Sequence, residues 1–449
     1  MKHLHFLGIC GTFMGSLALI AKQLGYRVTG SDENIYPPMS TQLQEQGIDL
    51  VPGYGVDQLA LKPDLYIIGN AMKRGLPVVE AILDLQLPYT SGPEWLSHAV
   101  LRHKWVLAIA GTHGKTTTSS ILAWILEYAG LNPAFLIGGV PQNFGVSARM
   151  TDSPYFVIEA DEHDTAFFDK RSKFVHYHPK TLVMNNLEYD HADIFDSVQD
   201  IQKQFHHVIR IVPHSGQLIY NKNAPYLVET LEKGSYSQKI SFGEGADLSA
   251  KALKPDGTHF EVFDRNHSLG EAHWDLLGTH NIENALSAIA ASLQVGVKPH
   301  VALKALSSFK NVKRRLELKG VVRGISVFDD FAHHPTAIEV TLKGLRAHQT
   351  QGHLIAILEP RSNTMRMNVH GTALRDSLEV ADEIYLFQPA GIQSKLDEMM
   401  VGCSKPYFIF NTTADLIEAL KQKAQPDDHL VIMSNGGFEG IHERLLKVL

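Results

Sequence analysis

Trp105-Val106-Leu107-Ala108-Ile109-Ala110-Gly111-Thr112-His113-Gly114-Lys115-Thr116-Thr117 is the stretch that decides how the rest of the chain is read. Its apolar first half is a strand buried on both faces. A glycine-rich turn follows, and residues 119–129 continue as a helix. A strand, a turn carrying Gly-Lys-Thr and a helix form the context in which a phosphate-binding loop works. Glycines let backbone N–H groups crowd around phosphate oxygens, and the helix N-terminus adds partial positive charge. Lys115 can neutralise the outer phosphates, and the Thr116 hydroxyl can hold Mg2+. The full loop pattern asks for glycine at position 109. Ile109 stands there, so this loop is a shortened variant.

Downstream, two more apolar runs lead straight into polar residues. Residues 155–158 run into Glu159-Ala160-Asp161-Glu162, and 181–184 run into Asn185-Asn186-Leu187-Glu188-Tyr189-Asp190-His191. A metal on a triphosphate needs a carboxylate at the end of a neighbouring strand. Glu159, read as the first polar residue off its strand, is the candidate. His191 is a second candidate ligand with Asp190 to orient it, although Mg2+ prefers oxygen.

Upstream, residues 3–8 and 26–29 are short strands, separated by Gly8-Ile9-Cys10-Gly11-Thr12-Phe13-Met14-Gly15 and the helical stretch 14–24. Asp32 follows Gly11 by 21 positions. The pattern approaches a dinucleotide fingerprint, but Cys10 replaces its middle glycine. The turn therefore favours a nucleotide diphosphate on the N–H groups of Gly11 and Thr12 over a nicotinamide, and speaks against hydride transfer. In the last third, strands at 325–328, 354–358, 383–387 and 430–433 alternate with helices such as 336–346. Three of these strands end in polar clusters: Asp329-Asp330-Phe331-Ala332-His333-His334, Glu359-Pro360-Arg361-Ser362-Asn363 and Asn435-Gly436-Gly437. Open α/β sheets place ligands at such ends. Arg361 can clamp a carboxylate there.

The 449 residues are too many for one core. Alternating strands and helices predict an α/β fold of mostly parallel sheets covered on both sides. Three domains in series are expected: a Rossmann-like 1–104, a P-loop ATPase 105–313 and a Rossmann-like 314–449. A formal charge of −7 without a basic block argues against a broad nucleic-acid surface. Two cysteines, Cys10 and Cys403, build neither a disulfide framework nor a CxxC metal site. The N-terminus lacks a signal-peptide core, and no apolar run approaches the roughly 18–20 residues of a membrane helix. Cytoplasm is the expected compartment, with no membrane partner.

Together these motifs resemble the Mur ligase superfamily over essentially the whole chain. The shared parts are GTHGKTT at 111–117, EADE at 159–162, NLEYDHAD at 186–193, GTHNIENA at 278–285, Lys313-Arg314-Arg315 and DDFAHHP at 329–335. HFLGICGTFMG at 5–15, EPRSNTM at 359–365 and SNGGFEGIH at 434–442 look like the branch that joins a cell-wall tripeptide. The resemblance implies that ATP and Mg2+ drive amide formation between UDP-N-acetylmuramate and L-Ala-γ-D-Glu-meso-diaminopimelate. The intermediate would be an acyl phosphate and the setting peptidoglycan recycling. The branch that adds L-alanine to the same sugar nucleotide is the alternative.

Position by position, the resemblance implies that Gly11 and Thr12 hold the UDP diphosphate, with Asp32 near the nucleoside. Gly111, Thr112, Gly114, Lys115, Thr116 and Thr117 would hold ATP phosphates. Thr116 and Glu159 would bind one Mg2+ and His191 the other, making Lys115, Glu159 and His191 the catalytic set. His280, Asn281 and Asn284 would lie at the adenine. Arg314 and Asp329 would reach ATP once the third domain closes about a hinge at 313–315. Arg361, Ser362 and Asn363 would meet the peptide. His334 or Asp330 is the candidate base for the amine.

Overall fold

The computed structural model describes residues 1–35, 39–192, 194–349, 351–361, 365, 371–388 and 396–449, and each third of the chain builds its own sheet. The first sheet has β1 (His3–Leu7), β2 (Arg27–Asp32), β3 (Asp49–Pro52), β4 (Leu65–Ile68) and β5 (Tyr89–Ser91). Its order is β3-β2-β1-β4-β5, and all pairs are parallel. The chain order reverses beside β1, so the turn after β1 opens at a topological switch point. His3 and His5 are buried in β1. Both rings meet Thr29 Oγ1, at 2.9 and 2.7 Å, and His5 also reaches Gln58, which satisfies them as core polar groups.

The second sheet starts with β6 (Trp105–Ala110), β7 (Ala134–Leu136), β8 (Ala148–Arg149) and β9 (Tyr155–Ala160). A separate hairpin, β10 (Asp164–Ala166) and β11 (Asp169–Ser172), interrupts it. It resumes with β12 (Thr181–Met184), β13 (Gln217–Asn221), β14 (Gln238–Phe242), β15 (Leu248–Ala252), β16 (His259–Asp264) and β17 (His267–His273). The order is β17-β16-β15-β14-β13-β12-β6-β9-β7-β8. Leu107 and Ile109 of β6 pack with the helices Lys115–Tyr128 and Thr279–Gln294, while Ala108 and Ala110 pack with Val198–Ile209. Burial on both faces is why the strand reads as an unbroken apolar run. The sheets are mostly parallel as expected, with antiparallel pairs at both ends of this one: β15, β16 and β17 at one end and β7 with β8 at the other. The alternation of buried and half-exposed residues in β16 is that of a strand with one wet face, which an apolar-run criterion overlooks.

The third sheet contains β18 (Glu317–Val322), β19 (Ile325–Asp330), β20 (Leu354–Leu358), β21 (Glu383–Phe387), β22 (Tyr407–Phe410) and β23 (His429–Met433). The order is β18-β19-β23-β20-β21-β22, parallel except for β18. Residues of the first two sheets share one apolar cluster, running from Leu4 to Leu231, whereas the third sheet is packed in clusters of its own. No helix among the described residues is long and apolar enough to cross a membrane.

Candidate functional site

The phosphate-loop turn, the ends of β9, β12, β19 and β23, and the turn after β1 face one cleft of about 1770 Å3. Gly114 enters it at φ +78°, and a Cβ there would strike the Asn284 amide oxygen, so glycine is required. Lys115, the first residue of the helix Lys115–Tyr128, turns its Nζ back over the loop. It donates to Gly111 O at 2.7 Å and to Glu162 Oε2 at 2.8 Å. The other Glu162 oxygen lies 3.3 Å from His191 Nε2. Burial opposes charge on both partners, yet the surrounding carboxylates hold Lys115 up at about 12, and Lys115 and His191 hold Glu162 down at about 2. Beside them Asp161 bonds His163 at 2.8 Å and Lys173 at 3.0 Å, and the His163 and His191 rings lie 3.9 Å apart.

Thr116 donates its hydroxyl to Glu159 Oε1 at 3.0 Å, while Gly138 N–H donates to Glu159 Oε2 at 2.8 Å. One correction follows: Glu159 is not the first residue off its strand but lies inside β9, because β9 continues to pair with β6 through Ala160. Two hard oxygen donors side by side at a helix start fit Mg2+. The His191 Nε2 lies 3.3 Å from Glu162 Oε1 and 4.0 Å from Asp190 Oδ2, and Asp190 Oδ1 accepts the His191 N–H at 2.7 Å. Burial opposes a charge on His191, but its bond to Glu162 raises its pKa.

At the far end of the loop, burial lowers His280 to about 4, and its Nδ1 is enclosed without a hydrogen bond among the described residues. Such an orphan marks space for a ligand donor. Asn281 and Asn284 also line the cleft, but their amides are engaged in structure. Asn281 Nδ2 donates to Leu277 O at 2.8 Å, Asn284 Nδ2 to Asn281 Oδ1 at 3.0 Å, and Thr118 Oγ1 to Asn284 Oδ1 at 3.1 Å.

From the third sheet, Arg314 donates to Ser434 O and Gly436 O, both at 2.7 Å, and lies 3.3 Å from Asp329 Oδ2. Arg315 reaches across to Thr116 Oγ1 at 3.3 Å. The Arg361 guanidinium lies against Gly436, where a Cβ would collide with it. Ser362 and Asn363 lie outside the described residues. The two candidate bases carry structural bonds instead. Asp330 accepts the N–H of Leu316 and Ala332 at 2.6 and 2.7 Å, and His334 Nδ1 accepts the N–H of Thr336 while its Nε2 meets Tyr189 O. Neither is assigned as the base.

In the first sheet, Thr12 lines the cleft and Gly11 caps the helix Thr12–Gln23. Asp32 holds the turn shut, accepting the N–H of Cys10 and Asn34, each at 2.9 Å. Sequence reasoning passed over Glu162, Lys173 and Glu188. The EADE cluster signalled a second acid, but nothing local signalled a lysine 47 positions earlier as its partner.

Three family models match consecutive stretches of this chain. They are described as Mur ligase family, catalytic domain (residues 3–104), Mur ligase middle domain (109–292) and Mur ligase, glutamate ligase domain (314–436). The chain is 53% identical to a Haemophilus influenzae protein, over 100% of this chain and 99% of that one. It is 54% identical to an Escherichia coli protein, over 99% and 97%. Both are named UDP-N-acetylmuramate–L-alanyl-γ-D-glutamyl-meso-2,6-diaminoheptandioate ligase. A crystal structure of a murein peptide ligase from Psychrobacter arcticus superposes with TM-score 0.77 at 46% identity, covering 100% of this chain and 98% of that chain.

Proposed function

The chain belongs to the Mur ligase family, and we propose that it joins UDP-N-acetylmuramate to the tripeptide L-alanyl-γ-D-glutamyl-meso-diaminopimelate at the expense of ATP. The observation that carries this reading is the shared cleft. The loop lysine, the paired acids and the turn after β1 face one space, in a chain more than half identical, end to end, to enzymes named for that reaction.

In the proposed reaction the lactyl carboxylate oxygen attacks the γ-phosphorus, the β–γ bridge breaks, and an acyl phosphate and ADP result. The tripeptide amine then attacks the acyl carbon, and the tetrahedral adduct collapses to an amide and inorganic phosphate. Lys115, its pKa held up at about 12 and so charged at neutral pH, would face the phosphoryl group and offset the charge that spreads over its oxygens. Thr116 and Glu159 would hold Mg2+, with His191 beside a second site; the metal supplies positive charge to the triphosphate when bound. Glu162 keeps Lys115 and His191 aimed at the same region. Thr12 would present its helix-start N–H to the sugar-nucleotide diphosphate, with Gly11, whose N–H donates to Gly8 O at 3.4 Å, capping the same helix. Arg361, beside Gly436, faces the incoming peptide as a carboxylate clamp. The third domain covers the cleft and keeps water from the acyl phosphate.

Phosphate release from ATP with UDP-N-acetylmuramate, offered L-alanine, the dipeptide and the tripeptide in turn, tests the reading. Release should depend on sugar nucleotide and tripeptide together. Preference for free L-alanine would move the chain to the alanine-adding branch, and release independent of any amine would end the reading.

A further inference from the structure

Glu188 stands just beyond β12, and its backbone is tied to the phosphate loop. Glu188 N–H donates to Thr112 Oγ1 at 2.8 Å, and Thr112 Oγ1 donates to Glu188 O at 3.3 Å. Its side chain crosses to the third domain. Glu188 Oε2 accepts the hydroxyl of Thr336 at 2.7 Å, in the first turn of the helix Pro335–His348, and lies 3.6 Å from His334 Nδ1. The same oxygen is 3.3 Å from His113 Nε2 within the loop, and the His113 and His334 rings are 4.3 Å apart. A carboxylate at a helix start is also favoured by the partial charge there.

The helix Pro335–His348 touches the central domain elsewhere: His348 Nδ1 lies 2.8 Å from Asp256 Oδ2, and Gly344 abuts Gly278. The contact through Glu188 reaches the phosphate loop, alongside the His113–His334 ring contact and the Arg315–Thr116 bond. No reacting atom of the proposed chemistry is assigned to Glu188, so a role for it acts through its neighbours.

We propose that Glu188 is a positioning residue that fastens the third domain to the phosphate loop and so couples closure to the placement of the loop. This rests on the ligase reading above.

Full-length Glu188→Ala, Thr336→Val, the double variant and Glu188→Gln separate this role from general support of the fold. Glu188→Ala and Thr336→Val should each lower kcat/KM for the tripeptide roughly tenfold, with the double variant no worse than the poorer single, as expected of two ends of one contact. Affinity for a non-hydrolysable ATP analogue should stay within about threefold of the parent. Glu188→Gln keeps an acceptor for Thr336 and should restore most of the activity. Small-angle scattering with the analogue and UDP-N-acetylmuramate bound should give a larger radius of gyration for Glu188→Ala than for the parent. Full activity of Glu188→Ala, additive losses, or analogue affinity falling in step with kcat/KM would each overturn the proposal. An unchanged radius would do the same. If the parent chain makes no amide from the tripeptide, the ligase reading fails, and the scattering comparison still decides the contact.

Discussion

At the residue scale the site turns on Lys115 and Glu162, two buried charges that stabilise each other. Removing one partner of such a pair costs more than the pair contributes, because the other is left buried and uncompensated. Lys115→Ala should lower phosphate release by about 10²–10³-fold, the usual cost of deleting a donor aimed at developing charge. It should also lower unfolding stability by about 3 kcal/mol, since Glu162 then keeps, among the described residues, only His191 as an ionic partner. Turnover assays and urea titration with retained far-UV dichroism check both; near-parent turnover would remove the loop lysine from the mechanism. Lys115 was legible because Gly-Lys-Thr is a local pattern. Glu162 was not, because the meaning of a carboxylate depends on a partner that only the fold brings near.

At the scale of elements, the phosphate loop is held by the two helices behind it. Lys115–Tyr128 lies against Thr279–Gln294, and Asn284 joins them through Thr118, with Asn185 donating to the same threonine at 2.8 Å. Asn284→Ala strips Thr118 of its acceptor and Asn281 of a donor. It should lower the urea midpoint by the equivalent of about 1–3 kcal/mol, the cost of orphaned buried polar groups. An unchanged midpoint would show the network to be dispensable. The elements at the centre of each sheet were readable from apolar runs alone, and β20 and β21 fall at the limits that 354–358 and 383–387 suggested. The strands β13 to β17 were not, since they carry exposed or half-exposed polar residues, and only β16 shows the strict alternation of a half-wet strand.

At the scale of the whole molecule, three sheets in series followed from the repeated strand–helix alternation, but their unequal attachment did not. The first two share a core, and the third stands apart on its own. Histidines held neutral inside the fold set its response to acid. Burial lowers the pKa of His5, and lowers His280 and His333 to about 4, whereas the unfolded chain takes up these protons near the ordinary pKa of about 6.5. Their stabilisation is complete above that ordinary value and is lost as pH falls from there toward about 4. His191, shifted upward, works in the opposite direction but alone among these four. The melting midpoint should therefore drop by roughly 5 °C or more between about pH 7 and about pH 5; a flat profile in calorimetry would contradict this. The junction with the third sheet carries a further consequence. Arg314 grips carbonyls on the far side, while its immediate neighbour Arg315 reaches back to the hydroxyl that adjoins Glu159. At the proposed hinge, one arginine thus stands on each bank of a single peptide. Were the outer body to swing there, Arg315 would leave that hydroxyl, so parting the jaws and loosening the proposed magnesium seat would be one mechanical event.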